Sequence, residues 1–522
     1  MPGGPAIATR DDTVQAGDAA GVRDHLVSYA RARDRRPDGV TPLDDFLSEP
    51  DPGVALALWF GQHRVLEPPV DRERLTALLD ADIARIDRLL SAQVNAVLHH
   101  PRFQALEAAW VGLRYLVAQG EGEPLVRLKV FDANWGLVCR DLERDFDQSV
   151  LWQRVYADQF DMAGGQPFGL LVGLYEVQHR RDAKHPSDDV SALTGLCQIA
   201  AASFAPFIVG ASPGLLGLTD FVRLEAPMRL DAFDREPEYV RWNSLRDQED
   251  SRFLGVTVPR ILLRRPWEDH SQRIDGFRFR ETVTDRPRAA DRSPDNMLWG
   301  PASIAFGAVV IRAFRDHRWF AAIRGAPQDA IAGGLVPDLP QCPFPTEPYG
   351  VAIRPGTDVA VSDRLELELN RYGLMVLSDV KDTNYAVFRG CPSLQRPKRY
   401  DRIGATNNAK LSAMLQYMLC TARFSHYVKI IMRDRVGSFA NPEECERYLN
   451  RWLMDFVSQN PSGSSIEMQA RRPLRDARVA VREVPGSPGA YNATFQFLPH
   501  FQLDTIETSL KLVTQLPRAR GG

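Results

Sequence analysis

Lysine is nearly missing from this sequence: seven lysines stand against 57 arginines. The 67 acidic residues slightly outnumber the 64 basic ones, so the formal net charge is −3 and no overall field favours nucleic acid or an anionic membrane. Arginine's planar fork suits paired contacts at interfaces, but coding bias is the better account of the excess, which carries little weight. Long apolar runs are missing too. No stretch approaches the roughly 18 to 20 apolar residues of a membrane-spanning helix. The opening MPGGPAIATRDDTVQ lacks the apolar core of a secretory signal. Cysteine is sparse and scattered, at Cys139, Cys197, Cys342, Cys391, Cys420 and Cys445, with no two within 20 residues. That excludes Cys-x-x-Cys pairs and reads as a reduced, cytoplasmic protein, not a disulfide scaffold.

The motifs of several enzyme classes are also lacking. No Gly-Lys dipeptide occurs, which excludes a P-loop, and there is no His-Glu-x-x-His. Gly210, Gly214 and Gly217 fit no dinucleotide fingerprint. His99 and His100 are adjacent, so on a helix they diverge; His100 reads as a cap for the helix that begins at Pro101. His179 and His185 flank a charged loop with no cysteine or carboxylate set to complete a metal site. Lys398-Arg399 and Arg471-Arg472 are short basic pairs of the kind usually solvated or salt-bridged. No catalytic residue, cofactor or metal is expected, although an α/β enzyme with dispersed catalytic residues stays open.

What is present is a chain of 522 residues, enough for about three domains. Its 44% hydrophobic and 25% charged content is ordinary for a soluble globular protein. Residues 1–66 read as a variable leader, rich in Gly, Pro, Asp and Arg, with one or two short helices. Residues 67–120 carry two amphipathic helices. Leu79, Ile83, Ile86, Leu90, Val94 and Val97 form one apolar stripe; after Pro101 a second follows with Phe103, Leu106, Trp110, Leu113 and Val117. The pair either packs on this protein's own core or meets a partner subunit.

From 121 to 345, strand and helix signals alternate, as in α/β layers. Strands are expected at Leu125–Phe131, Phe168–Tyr175, Pro206–Val209 and Arg260–Leu263. Helices are expected at Leu137–Phe160, Val190–Phe204 and Ser303–Phe314. From 346 to 522 come an acidic helix, Asp363–Arg371, and strands Leu374–Leu377 and Tyr385–Phe388. A long helix is expected from Leu411 to Ile431, and another over Pro442–Val457. The end is strand-like: Val479 and Val481 alternate with arginines, and Tyr491, Ala493, Phe495 and Phe497 share one face opposite Asn492, Thr494 and Gln496. A third run, holding Leu510, Lys511 and Leu512, follows His500. Such an end is either a hairpin packed on its own core or a set of strands paired in trans with a neighbour, since an unblunted edge is a template for another chain.

Many separate segments then fall into one familiar order. They include HPRFQALEAAWVGLRYLV (His100–Val117), FDQS (Phe146–Ser149), PFGLLVGLYE (Pro167–Glu176) and APFIVGASPGLLGL (Ala205–Leu218). EDSRFLGVTVPRILLRRPW (Glu249–Trp267), LWGPASIAFG (Leu298–Gly307), AAIRG (Ala321–Gly325) and YAVFRGCPSLQRPKRYD (Tyr385–Asp401) continue it. RFSHYVKIIMRDRVGSF (Arg423–Phe439), CERYLNRWL (Cys445–Leu453) and PHFQLDTIETSLKLV (Pro499–Val513) complete it. The chain resembles the TssC/VipB family, the large subunits of the type VI secretion contractile sheath, relatives of phage tail sheaths. It departs from the family pattern at Gly300-Pro301, at Arg354–Asp358 and in the first 66 residues.

The resemblance implies a mixed α+β, multi-domain tail-sheath-like fold and a structural role without catalysis. It implies a small sheath subunit (TssB/VipA type), further copies of itself, an inner tube protein, a baseplate and an AAA+ recycling unfoldase as partners. Neither nucleic acid nor membrane insertion enters. The setting implied is the bacterial cytoplasm, as part of a membrane-anchored assembly. A sheath-like subunit of another contractile injection device is the alternative. Under this reading Tyr491, Ala493, Thr494, Phe495, Phe497, Leu510, Lys511 and Leu512 belong to inter-subunit strands. Leu79, Ile83, Ile86, Leu90, Val94, Phe103 and Trp110 meet the small subunit.

Overall fold

The structure is a computed structural model. It describes residues 42–60, 72–143, 145–183, 185–221, 224, 230–270, 276–283, 296–327, 331–341, 356–380, 383, 385–434, 442–458, 465–483 and 491–500. The chain divides into two compact units, Met1–Leu90 and Ser91–Gly522. In the first, helices α1 (Pro42–Ser48) and α2 (Pro52–Phe60) pack through Phe46 and Trp59, whose ring centroids lie 5.2 Å apart. The Trp59 indole N–H donates to Asp82 at 3.1 Å. Asp82 lies on α3 (Arg72–Leu98), which runs across the division.

The second unit is built on a six-stranded sheet. Its strands are β1 (Leu171–Val177), β2 (Phe207–Ala211), β3 (Leu254–Val258), β7 (Leu374–Asp379), β8 (Ala386–Phe388) and β6 (Leu335–Val336), in that spatial order. The first four pair in parallel and the last two antiparallel. Parallel strands covered on both faces need apolar side chains at every position. FIVGA and LGVTV, the sequences of β2 and β3, are buried throughout. Successive residues feed opposite layers. Val209, Leu374 and Val376 enter one cluster with α6 (Asp189–Ser203) and Trp242 of α7 (Val240–Asp247). Ile208, Met375 and Leu377 enter the other with α8 (Ser303–His317) and Leu116 of α4 (Pro101–Gln119). A separate two-stranded ladder joins β4 (Arg260–Leu262) to β5 (Trp299–Pro301).

Two expected helices are interrupted. The stretch Leu137–Phe160 breaks after α5 (Trp135–Asp141), because Asp141 accepts from the N–H groups of Val150 and Leu151 and Ser149 caps a fresh helical start at Trp152 N. A π-type turn then runs from Gln153 to Asp161. The acidic helix forms as α9 (Asp363–Arg371), and the long helix at 411–431 breaks into α10 (Ile403–Ser412) and α11 (Leu415–Asp434). The cause is residues 391–394, which take the main-chain groups at the junction: Ser393 N–H donates to Ala413 and Leu415 N–H to Cys391, both at 2.9 Å. The stretch Leu125–Phe131, expected as a strand, is irregular here, and no strand pairs with it among the described residues.

Beyond α11 lie α12 (Pro442–Met454), α13 (Ile466–Arg471) and a hairpin of β9 (Leu474–Glu483) with β10 (Tyr491–Pro499). Its inner residues Leu474, Ala477, Val479 and Val481 are buried against Leu449 and Leu453 of α12 and Phe424 of α11. The α11 helix serves two cores: Leu415 and Leu419 lie in the second sheet cluster, Cys420 and Phe424 in this third one.

Candidate functional site

The hairpin has two edges, and they differ. On the β9 side, Asn450 of α12 donates to Val479 O at 3.1 Å and accepts from Val479 N at 3.0 Å. Glu446, one turn earlier, accepts from Val481 N at 2.9 Å. Ser458 N–H donates to Leu474 O at 2.9 Å, and Leu474 N–H donates to Phe456. The outward main-chain groups at these β9 positions are therefore occupied. In an antiparallel pair, opposed residues either point their N–H and C=O at each other or both point them away. Val479 points away from β10, so its partner Phe495 does as well. The same parity puts Tyr491, Ala493 and Phe497 on the outer edge of β10, where no strand pairs among the described residues. Thr494, opposite Ala480, points inward to β9. Phe495 and Phe497 nonetheless pack their rings on the third cluster, with Phe497 stacked 5.3 Å from Phe424. Leu510, Lys511 and Leu512 lie outside the described residues.

The helix stripes face outward. No residue of α3 is buried, and Leu79, Ile83, Leu90 and Val97 are exposed while Ile86 and Val94 are half-buried. On α4 a second set of residues faces the core: Ala108, Val111, Gly112, Tyr115 and Leu116. The lack of a side chain at Gly112 lets α4 approach α8, since a Cβ there would stand 2.7 Å from Ile304 Cδ1. The larger apolar side chains Phe103, Leu106, Trp110 and Val117 are exposed, Trp110 by 65%. A buried ion network holds this helix in place. Arg264 pairs with Glu107 and Glu281, each at 2.6 Å, and His99 meets Glu281 at 3.2 Å.

The histidines His100, His179 and His185 are placed by structural contacts. His100 Nδ1 accepts from Arg102 N at 3.3 Å and caps α4. His185 meets the Asp189 carboxylate at 2.7 Å, and that hydrogen bond raises its pKa. Asp189 also accepts from Trp135, Gln178 N and Ser187. His179 stacks 4.0 Å from Tyr239. Among the described residues no group of three or more His, Cys, Asp or Glu could hold a metal.

Sequence reasoning missed several features. Gly210-Ala211-Ser212-Pro213-Gly214 has the G-x-S-x-G spacing of a serine nucleophile elbow. In the fold the Ser212 hydroxyl caps a 3-10 turn, accepting from Gly214 N at 3.2 Å and donating to Gln178 at 3.5 Å, with no imidazole bonded to it. The edge-capping pair Glu446 and Asn450 was missed as well. Its signal is four-residue spacing on one face of α12.

Two adjoining matches decide the family. Residues 80–395 match the model for the EvpB/VC_A0108 tail sheath N-terminal domain, and residues 404–516 that for its tail sheath gpW/gp25-like domain. The chain belongs to this tail sheath family. A relative from Pseudomonas aeruginosa, type VI secretion system sheath protein TssC1, is 39% identical over 446 residues, 85% of this tail sheath chain and 86% of that one. Among solved structures, the helical sheath of the anti-feeding prophage in its contracted state is 13% identical, with a TM-score of 0.37 over 76% of this chain and 80% of that one. The contracted sheath complex of the PVC extracellular contractile injection system is 12% identical, with a TM-score of 0.32 over 64% and 68%. The family's two domains meet here between Arg396 and the start of α10. The sheet lies on one side of that junction, and the hairpin, with the whole α11 helix, on the other.

Proposed function

We propose that this tail sheath chain is a structural subunit of a type VI secretion sheath. It assembles with a small sheath subunit into a helical tube around an inner tube and contracts to drive effector delivery. The observation that carries this reading is the match to both tail sheath domains, together with a 39% identical relative of that name. Copies of the chain, the baseplate and an AAA+ recycling unfoldase complete the set of partners. The working site is cytoplasmic.

Two surfaces serve assembly in this reading. The open edge of β10 takes a strand from a neighbour, supported by the blocking of the opposite edge. The run containing Leu510, Lys511 and Leu512 is the donated strand, and proline at Lys511 blocks assembly by removing a ladder donor. The outward stripes of α3 and α4 meet the small subunit, supported by their exposure beside a separate core-facing set. A head-to-tail contact that does not close yields an open helical filament.

The test is negative-stain electron microscopy after co-expression with the small subunit encoded at the same locus. Regular hollow tubules are the expected result. Discrete soluble particles from the same cells would overturn the reading.

A further inference from the structure

His426, on α11, is 1% exposed and joins the two family domains. Its partner is in the first domain: Nε2 lies 2.9 Å from the Ser203 carbonyl at the C-terminal end of α6. A carbonyl only accepts, so Nε2 carries the proton and donates. Nδ1 is then a bare acceptor, buried with no partner among the described residues. The walls are aromatic, with Phe160 of the π-type turn at 5.8 Å and Phe204 at 6.5 Å between ring centroids. π-type segments concentrate at functional sites. Two cations flank His426 on its own helix. Arg423, one turn before, stands 4.7 Å over the Tyr427 ring and donates to a tyrosine hydroxyl there at 3.2 Å. Lys429, one turn after, lies 3.7 Å from the Phe160 centroid and pairs with Asp161 at 3.0 Å. Asp158 on the π-type turn pairs with Arg154, and Tyr156 stays neutral, its pKa raised by burial. On the adjoining 3-10 stretch Glu249–Phe253, Glu249 pairs with Arg252 and Lys398, and Asp250 acts on Cys197. A proton on Nδ1 would set a third cation between two others, beside carboxylates already engaged.

We propose that His426 on Ser203, with Lys429 on Phe160 and Asp161, forms an acid-released latch between the two family domains. The neutral imidazole holds the second half of α11 against the end of α6, and a proton on Nδ1 frees it. Burial pushes the His426 pKa down to about 4; Arg423 and Lys429 add to the fall, and the main chain at Ser203 and Phe204 opposes it. The folded value lies below the ordinary 6.5, so the latch is fully present above about pH 6.5 and is lost as pH falls toward 4. All of these contacts lie within one chain, so the latch stands or falls apart from the sheath reading.

Hydrogen–deuterium exchange of the full-length chain at about pH 7.5 and about pH 5, read as protection factors, tests this. The N–H groups of Phe204 and Ala205 close the end of α6 on Ala201 and Ala200. They lose about 30-fold in protection at the lower pH, the ratio that pKa values of about 4 and 6.5 give. His426→Gln keeps a donor for Ser203 and has nothing to titrate, so its loss stays below about threefold. Lys429→Gln removes one flanking cation and loses less than the parent. The His426 ring resonances of the parent, which need no variant, titrate well below the ordinary histidine range. Unchanged protection in the parent at the lower pH overturns the latch. So does a loss in either variant equal to the parent's, or a His426 ring that titrates in the ordinary range while the chain is folded.

Discussion

The side-chain amide of Asn450 meets both main-chain groups of Val479, donating to its carbonyl at 3.1 Å and accepting from its N–H at 3.0 Å. One side chain thereby does for a β9 residue what a neighbouring strand would do. Asn450→Ala leaves both groups unmet at a buried residue and costs about 1 to 3 kcal/mol. The urea midpoint of the C-terminal region falls, and proteolysis within 474–483 quickens. Asn450→Asp keeps the acceptor alone and falls between. An alanine variant as stable and as protease-resistant as the parent would show that this edge is not held by Asn450.

The parity of the hairpin separates two proline substitutions that the sequence alone treats alike. Ala493 turns its N–H to the open edge, whereas Thr494 turns its own toward Ala480. Ala493→Pro leaves the hairpin's ladder intact and abolishes tubules in electron micrographs, because only the outward donor is lost. Thr494→Pro breaks the hairpin and lowers thermal stability. Normal tubules from Ala493→Pro would remove this edge from the assembly contact.

The two faces of α4 give opposite outcomes. Trp110→Asp on the outer face leaves the isolated chain's unfolding transition within about 0.5 kcal/mol of the parent, as surface changes do, and abolishes co-purification with the small subunit. Gly112→Val on the inner face drives side-chain atoms into Ile304 and costs about 1 to 3 kcal/mol by overpacking. If Trp110→Asp destabilises as much as Gly112→Val, the stripe is core and not interface.

Burial pushes the Asp379 carboxyl up to about 7, against the opposing pull of the Thr357 hydroxyl at 3.3 Å and of Arg389. The folded chain keeps a proton that the unfolded chain releases above about pH 4. This contribution to stability is fully present at or below that pH. It is lost as pH rises from about 4 to about 7, with a slope of about 1.4 kcal/mol per pH unit. Asp379→Asn is uncharged throughout and removes that slope. Urea midpoints of parent and variant between pH 4 and 8 that run parallel would exclude Asp379 as its source.

The parallel core was readable because full burial leaves a strand no polar position. PFIVG and YGLMVLS could be little else, and β2 and β7 lie there. The periodicity of α3 and α4 was equally plain, but period alone does not say which way a stripe points. On α4, small residues at 108 and 112 let the helix sit close to α8, and the bulky stripe was left outside. Breaks were harder to foresee. Asp141 helps restart a helix through hydrogen bonds nine and ten residues away, and Ala413 loses its helical continuation to Ser393, which is distant in sequence. Strand pairing was least legible of all. Leu125–Phe131 has a strand's composition, but pairing requires a second strand, and none of the described residues supplies one.

The sharing of α11 between two cores has a mechanical consequence. Leu415 and Leu419 are locked under the sheet, and Cys420 and Phe424 under the hairpin, within ten residues of one continuous helix. Densely packed interiors shift as blocks and do not stretch. A pull on any strand that docked to β10 would therefore meet no slack tether. It would pass along the helix axis as through a crankshaft, and the sheet would turn with the hairpin.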